Sequence, residues 1–119
     1  VSKFVTTTYG NRKEILKFPD HYVNMPITVD NAGVTANADG KKIVPAGTIL
    51  GGGVITDPSK LAVKSNDATA EGVLFYDVDV THGPAPGALI IHGFIDLAKI
   101  PDVPDAAAVT ALNQITFIA

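Results

Sequence analysis

The chain has 119 residues, 46% apolar and 18% charged, with a formal net charge of −3 and no cysteine. That length suits one domain with a real core, and the apolar content excludes a disordered chain. The nine basic residues form no run longer than Lys41-Lys42, so nothing marks a nucleic-acid or anionic-membrane footprint. The lack of thiols excludes disulfides and thiolate chemistry and fits a protein made in a reducing cytosol.

The start, "VSKFVTTTYGNRKE", lacks the apolar core of a signal peptide. It begins at Val, which leaves room for an initiator Met or a longer leader upstream. No apolar run approaches the ~18 residues of a membrane span. Residues 1–12 are polar and threonine-rich and are expected to form an arm, with a single β-rich domain over 13–119. Beyond the arm, ten glycines and eight prolines punctuate short β-branched runs, the pattern of a small all-β domain. Strands are expected near 14–18, 27–29, 42–44, 48–50, 61–64, 72–81 and 88–97. Turn signals such as "DNAG" (30–33), "NADGKK" (37–42) and "TDPSK" (56–60) separate them. The two long strands, joined by "HGPAPG" (82–87), make the best hairpin. "PDAAAVTALNQ" (104–114) reads as a short helix, with Asp105 as its cap, Val109 and Leu112 on one apolar face and Asn113 as its stop. "ITFIA" closes the chain as a strand.

The chemistry worth testing lies in "AEGVLFYDVDVTHG" (70–83). Alternation along a strand puts Asp77 and Asp79 on one face and His82 on the other. Calcium and magnesium need several more oxygen ligands than this pair supplies, so a strand running out towards solvent is the favoured reading. The histidines His21, His82 and His92 are far apart and none forms a ligand-spaced pair. His92 and Asp96 flank Phe94 at i and i+4 on one strand, which suits a base and its orienter but also an ordinary exposed pair. "LGGGVI" (50–55) has the glycines of a phosphate cradle, but no helix follows, so a bend or bulge is the favoured reading. No H-E-x-x-H, C-x-x-C or G-x-S-x-G occurs. No catalytic, cofactor-binding or metal-binding residue is therefore expected, and the chain does not read as an enzyme.

The order of features carries a resemblance. "SKLAVKSNDATAEGVLFYDVDVT", a Gly/Pro turn, "ALIIHGFIDLAKIP" and "DAAAVTALNQITFIA" together resemble the lambda-type bacteriophage head decoration proteins. The matching positions are Ala70, Gly72, Val73 and Leu74, then residues 88–97, Pro101, and the helix and closing strand over 105–118, and the likeness as a whole runs from roughly Lys41 to Ala119, about two thirds of the chain. "KIVPAGTIL" (42–50) is similar to the I-x-A-G-T-x-[IL] segment of SAF domains, which are β-clip modules. The likenesses imply a small β-clip-like, partly open barrel with one short C-terminal helix and a closing strand.

They also imply a structural virion protein. It would be made in the bacterial cytoplasm and bind the outside of an expanded capsid as a homotrimer, with the major capsid protein as partner and no nucleic acid, membrane or cofactor. In that family the arm orders on docking, so Phe4, Val5, Thr6, Thr7, Thr8 and Tyr9 are expected to touch the capsid. The alternatives are a non-catalytic SAF-like ligand-binding module, for which His92, Asp96, Asp77 and Asp79 are the polar set, and the base domain of a phage head fibre. A biotinyl or lipoyl domain fits worse, because Lys64 in "VKSND" is a poor match to the apolar–Lys–apolar context of a modified lysine.

Overall fold

The computed structural model describes residues 15–119. The expected arm and its six capsid-contact residues, Phe4 to Tyr9, lie outside the described residues. Eight strands follow in order: β1 (Val23–Val29), β2 (Ile43–Val44), β3 (Ile49–Gly51), β4 (Leu61–Lys64), β5 (Ala70–Leu74), β6 (Val78–Asp79), β7 (Ala85–Asp96) and β8 (Ile115–Ile118). One helix, α1 (Ala106–Ala111), precedes β8.

Strands β1, β4, β3, β5 and β7 are hydrogen-bonded in that order, and β1 also pairs with β7, which closes a five-stranded barrel. β8 is an extra strand, parallel to the end of β7. β2 and β6 form a separate two-stranded ladder. The all-β barrel domain with one short helix and a closing strand is thus what the sequence leads one to expect. Closure rests on the long antiparallel register of β1 and β7, from Val23 opposite His92 to Val29 opposite Ala85.

Two apolar layers explain the near-continuous apolar runs. Ile27, Val29, Leu50, Ala62, Leu74 and Leu89, at least one from every barrel strand, fill the interior together with Val54, Val78 and Val80. Their neighbours Ile49, Val73 and Ile90 point the other way and pack with Ile15, Leu16, Ile95, Ala108, Leu112 and Ile115 beneath α1 and β8. The middle strands are therefore covered on both faces, and simple alternation cannot appear in their sequences. Each fully buried Leu or Ile stabilises the fold by about 1.5–3 kcal/mol. Gly72 is the close-approach point: a Cβ there would lie 2.5 Å from the Ile90 carbonyl oxygen and 2.6 Å from Leu89 Cγ. Only glycine lets β5 lie this near β7.

Three local expectations are corrected. The strand expected over 72–81 breaks after β5. Leu74 and Phe75 are both buried in succession, and Phe75 N–H donates to the Ala88 carbonyl at 2.9 Å, after which the chain crosses to β2 as β6. The long strands thus meet only at Val73–Ile90 and Leu74–Leu89, and β7 begins inside the expected turn. The strand expected over 14–18 has, among its described residues, a single bridge between Leu16 and Ile95. Finally, α1 is shorter than 104–114. Asp105 does cap it, accepting from Ala107 N–H at 3.1 Å, but the buried face carries Ala108 and Leu112 while Val109 is 44% exposed. The i, i+4 pair faces the core, and Val109, one residue past Ala108, is turned off it.

Candidate functional site

The acidic and histidine residues singled out from the sequence do not converge. The Asp77 carboxylate accepts from Ala46 N–H at 2.6 Å and fixes the loop before β3. Asp79 accepts from the Thr81 backbone at 2.9 Å and from the Thr81 hydroxyl. The Thr81 hydroxyl bond and then its backbone bond hold the Asp79 carboxyl below the usual carboxylate range. His82 is exposed in the following turn. Asp96 caps the turn over Leu97–Lys99 by accepting from Ala98 N–H at 3.0 Å, so it does not orient His92. Among the described residues no group of three or more His, Asp or Glu side chains is placed to hold a metal ion.

The glycine loop is an anion nest that the chain fills itself. Gly52 and Gly53 have φ of +111° and +80°, a region that favours glycine, and they turn successive N–H groups inward. The Glu71 carboxylate of β5 accepts from Gly53 N–H, from Val54 N–H at 3.0 Å and from Ile55 N–H at 3.1 Å. The bend is also a register shift between Leu50 and Gly51 where β3 meets β5. This carboxylate answers the phosphate-cradle reading. The anion is internal, and the bend was the sound expectation. A single acid in an apolar strand, placed after a triple glycine, was the available signal for Glu71.

A second cluster was not legible at all. The chain runs antiparallel along β7 twice, first with Leu16 opposite Ile95 and then as β1 from Val23 opposite His92. Between these stretches, residues 18–22 bulge outward. There Phe18 meets Phe94 edge-on with ring centroids 5.3 Å apart, and Tyr22 meets Phe75 at 5.2 Å. His21 Nε2 faces His92 Nε2 at 3.1 Å across 71 residues of sequence. On β7 an extra residue, Ile91, stands between the partners of Val23 and Asn24, a β-bulge that aims His92 at this segment.

A cleft of about 270 Å³ lies between the 30–35 loop, β2, β4 and Pro101. Val29, Val34, Val44 and Leu50 help to line it. Lys64 and Asp102, an exposed ion pair at 3.0 Å, also line it.

Fold and site together define a small all-β barrel domain whose described polar side chains mostly tie its own loops. No protein-family model matches the chain, and no curated protein matches it.

Proposed function

We propose that this chain is a structural virion protein that docks as a homotrimer on the outer surface of an expanded phage capsid and stabilises it, like the lambda-type head decoration proteins it resembles. The observation that carries the reading is the order of parts. A strand with Gly72 at a close approach, the long β7, a break at Pro101, an Asp105-capped helix and the closing β8 follow one another as in the pattern behind the resemblance. A rigid apolar knob adds support. Val103 is 87% exposed, and its loop is tied by Asn66, which donates to the Val103 carbonyl at 3.0 Å and accepts from Asp105 N–H at 2.8 Å. A preorganised apolar contact costs little to order on docking.

The arm supplies the rest of the mechanism. Phe4, Val5, Tyr9 and three threonines are strand-formers suited to adding to the edge of a capsid sheet. Ordering such a segment costs about 1–2 kcal/mol per residue, so docking must return main-chain hydrogen bonds and buried side chains. Three arms on one trimer raise the effective concentration for each later contact. Deletion of residues 1–9 is expected to leave a folded trimer that no longer stays on the shell. Sedimentation of the truncated protein alone, and then with shells, tests this. A truncated protein that binds as well as the whole chain sinks the role of the arm, and a stable dimer counts against the family.

The cleft beside β2 favours the second reading, a ligand-binding module. Its volume of about 270 Å³ lies just below the roughly 300–1,000 Å³ of ordinary small-molecule sites, which ranks this reading second.

A further inference from the structure

We propose that His21 and His92 form a two-imidazole site for a borderline transition-metal dication, Cu2+ first, which clips the 18–22 segment to β7. Two Nε2 atoms on separate segments face each other at 3.1 Å, with ring centroids 5.0 Å apart and ring planes at 74°. Imidazole nitrogens bind such ions at roughly 2.0–2.1 Å, and at that bond length the observed separation corresponds to an N–metal–N angle of about 95–100°. That value lies between the square-planar and tetrahedral ideals, so no backbone movement is needed to bring the nitrogens to one ion. His21 is exposed and free to turn its ring towards the ion, whereas His92 is half-buried on the strand and acts as the fixed ligand. The exposure of His21 leaves the site open to water, which would complete the coordination.

Without the ion the two rings share one hydrogen between the facing Nε2 atoms, and His92 Nδ1 is buried with no hydrogen-bond partner. A metal on His92 Nε2 requires that ring's proton to sit on Nδ1, where it finds no acceptor. Outer partners of ligating histidines are worth about 10–100-fold in affinity, so this site is weak, and it selects the dication with the strongest nitrogen affinity. Copper leads that order, ahead of nickel and zinc.

The test titrates the whole chain with CuCl2 at neutral pH in a non-chelating buffer, following binding calorimetrically and the bound ion by electron paramagnetic resonance. The wild type is expected to bind one Cu2+ with couplings from two imidazole nitrogens and to melt at a higher temperature with the ion than without it. His21→Gln and His92→Gln should each weaken binding about tenfold or more. His82→Gln and the pair Asp77→Asn, Asp79→Asn should leave it unchanged. Should His92→Gln fail to fold, the exposed His21→Gln and the wild-type spectrum decide. Absence of saturable binding, a spectrum with one imidazole nitrogen, or full binding by His21→Gln would overturn the proposal.

Discussion

Two loops of the barrel are held by carboxylates from the same apolar stretch, and they lean on them to different degrees. The 53–55 loop hands three successive N–H groups to Glu71, 16 to 18 residues away. The 45–48 loop hands only Ala46 N–H to Asp77, 31 residues away, because its other donors find backbone carbonyls. Gly47 N–H goes to the Leu74 carbonyl at 2.8 Å, and the Thr48 backbone and hydroxyl both go to the Pro45 carbonyl, at 3.2 and 2.7 Å. The importance of such an acid therefore follows the number of donors that have no other acceptor, not its distance along the chain or the apolarity of its neighbours.

This contrast orders the expected effects. Glu71→Ala strands three donors, of which only Val54 N–H belongs to a buried residue, and is expected to cost about 2–4 kcal/mol in urea unfolding, given roughly 1–3 kcal/mol for a buried donor left unsatisfied and less for one that reaches water. Glu71→Gln keeps one acceptor oxygen but turns an amide N–H towards the loop, and should cost about half as much. An alanine variant as stable as the wild type would remove the clamp from the account. Asp77→Ala strands one donor and should cost about 1–2 kcal/mol. Asp77→Asn retains an acceptor, so with Asp79→Asn it should fold normally and keep its oligomeric state, as sedimentation would verify. If Asp77→Ala costs more than Glu71→Ala, the donor count is the wrong measure.

The smallest effect belongs to the exposed acids that bond only their own turns. Asp57, Asp67 and Asp79 each accept from the hydroxyl and backbone of the residue two further on, Ser59, Thr69 and Thr81. These bonds, the hydroxyl first, lower all three carboxyls from the usual 3.8. A carboxyl lowered in the folded state contributes stability that is complete above its unfolded value and is lost as pH falls through the folded one. Urea midpoints should decline gently below the ordinary carboxylate range. Asp57→Asn, Asp67→Asn and Asp79→Asn together should flatten that decline, and an unchanged slope would show that these turns do not feel pH.

Much of the fold was legible because its signals are local. Turn residues bracket β2, β3 and β4 where they are found, and Asp105 marks the helix start. The errors arise where long-range contacts overrule local pattern. Asp77 and the β2 ladder draw 76–79 away from β7, and Pro86 and Gly87 join β7 because β1 offers Thr28 and Ile27 as partners. Gly87 tolerates no side chain there without crowding, since a Cβ would lie 3.0 Å from Val78 Cγ2. The site was less legible still. His21 and His92 meet because the chain runs along β7 twice with a bulge between, and no residue spacing encodes that.

The most direct test of the proposed capsid decoration is co-sedimentation of the whole chain with shells assembled from a phage major capsid protein. Expanded and unexpanded shells are compared at equal concentration. Saturable binding to expanded shells, weak binding to unexpanded ones and a higher rupture temperature for the decorated shells are the expected result. Failure to bind either shell, together with saturable binding of a sugar or nucleotide, would contradict the structural role and move the function to the cleft beside β2.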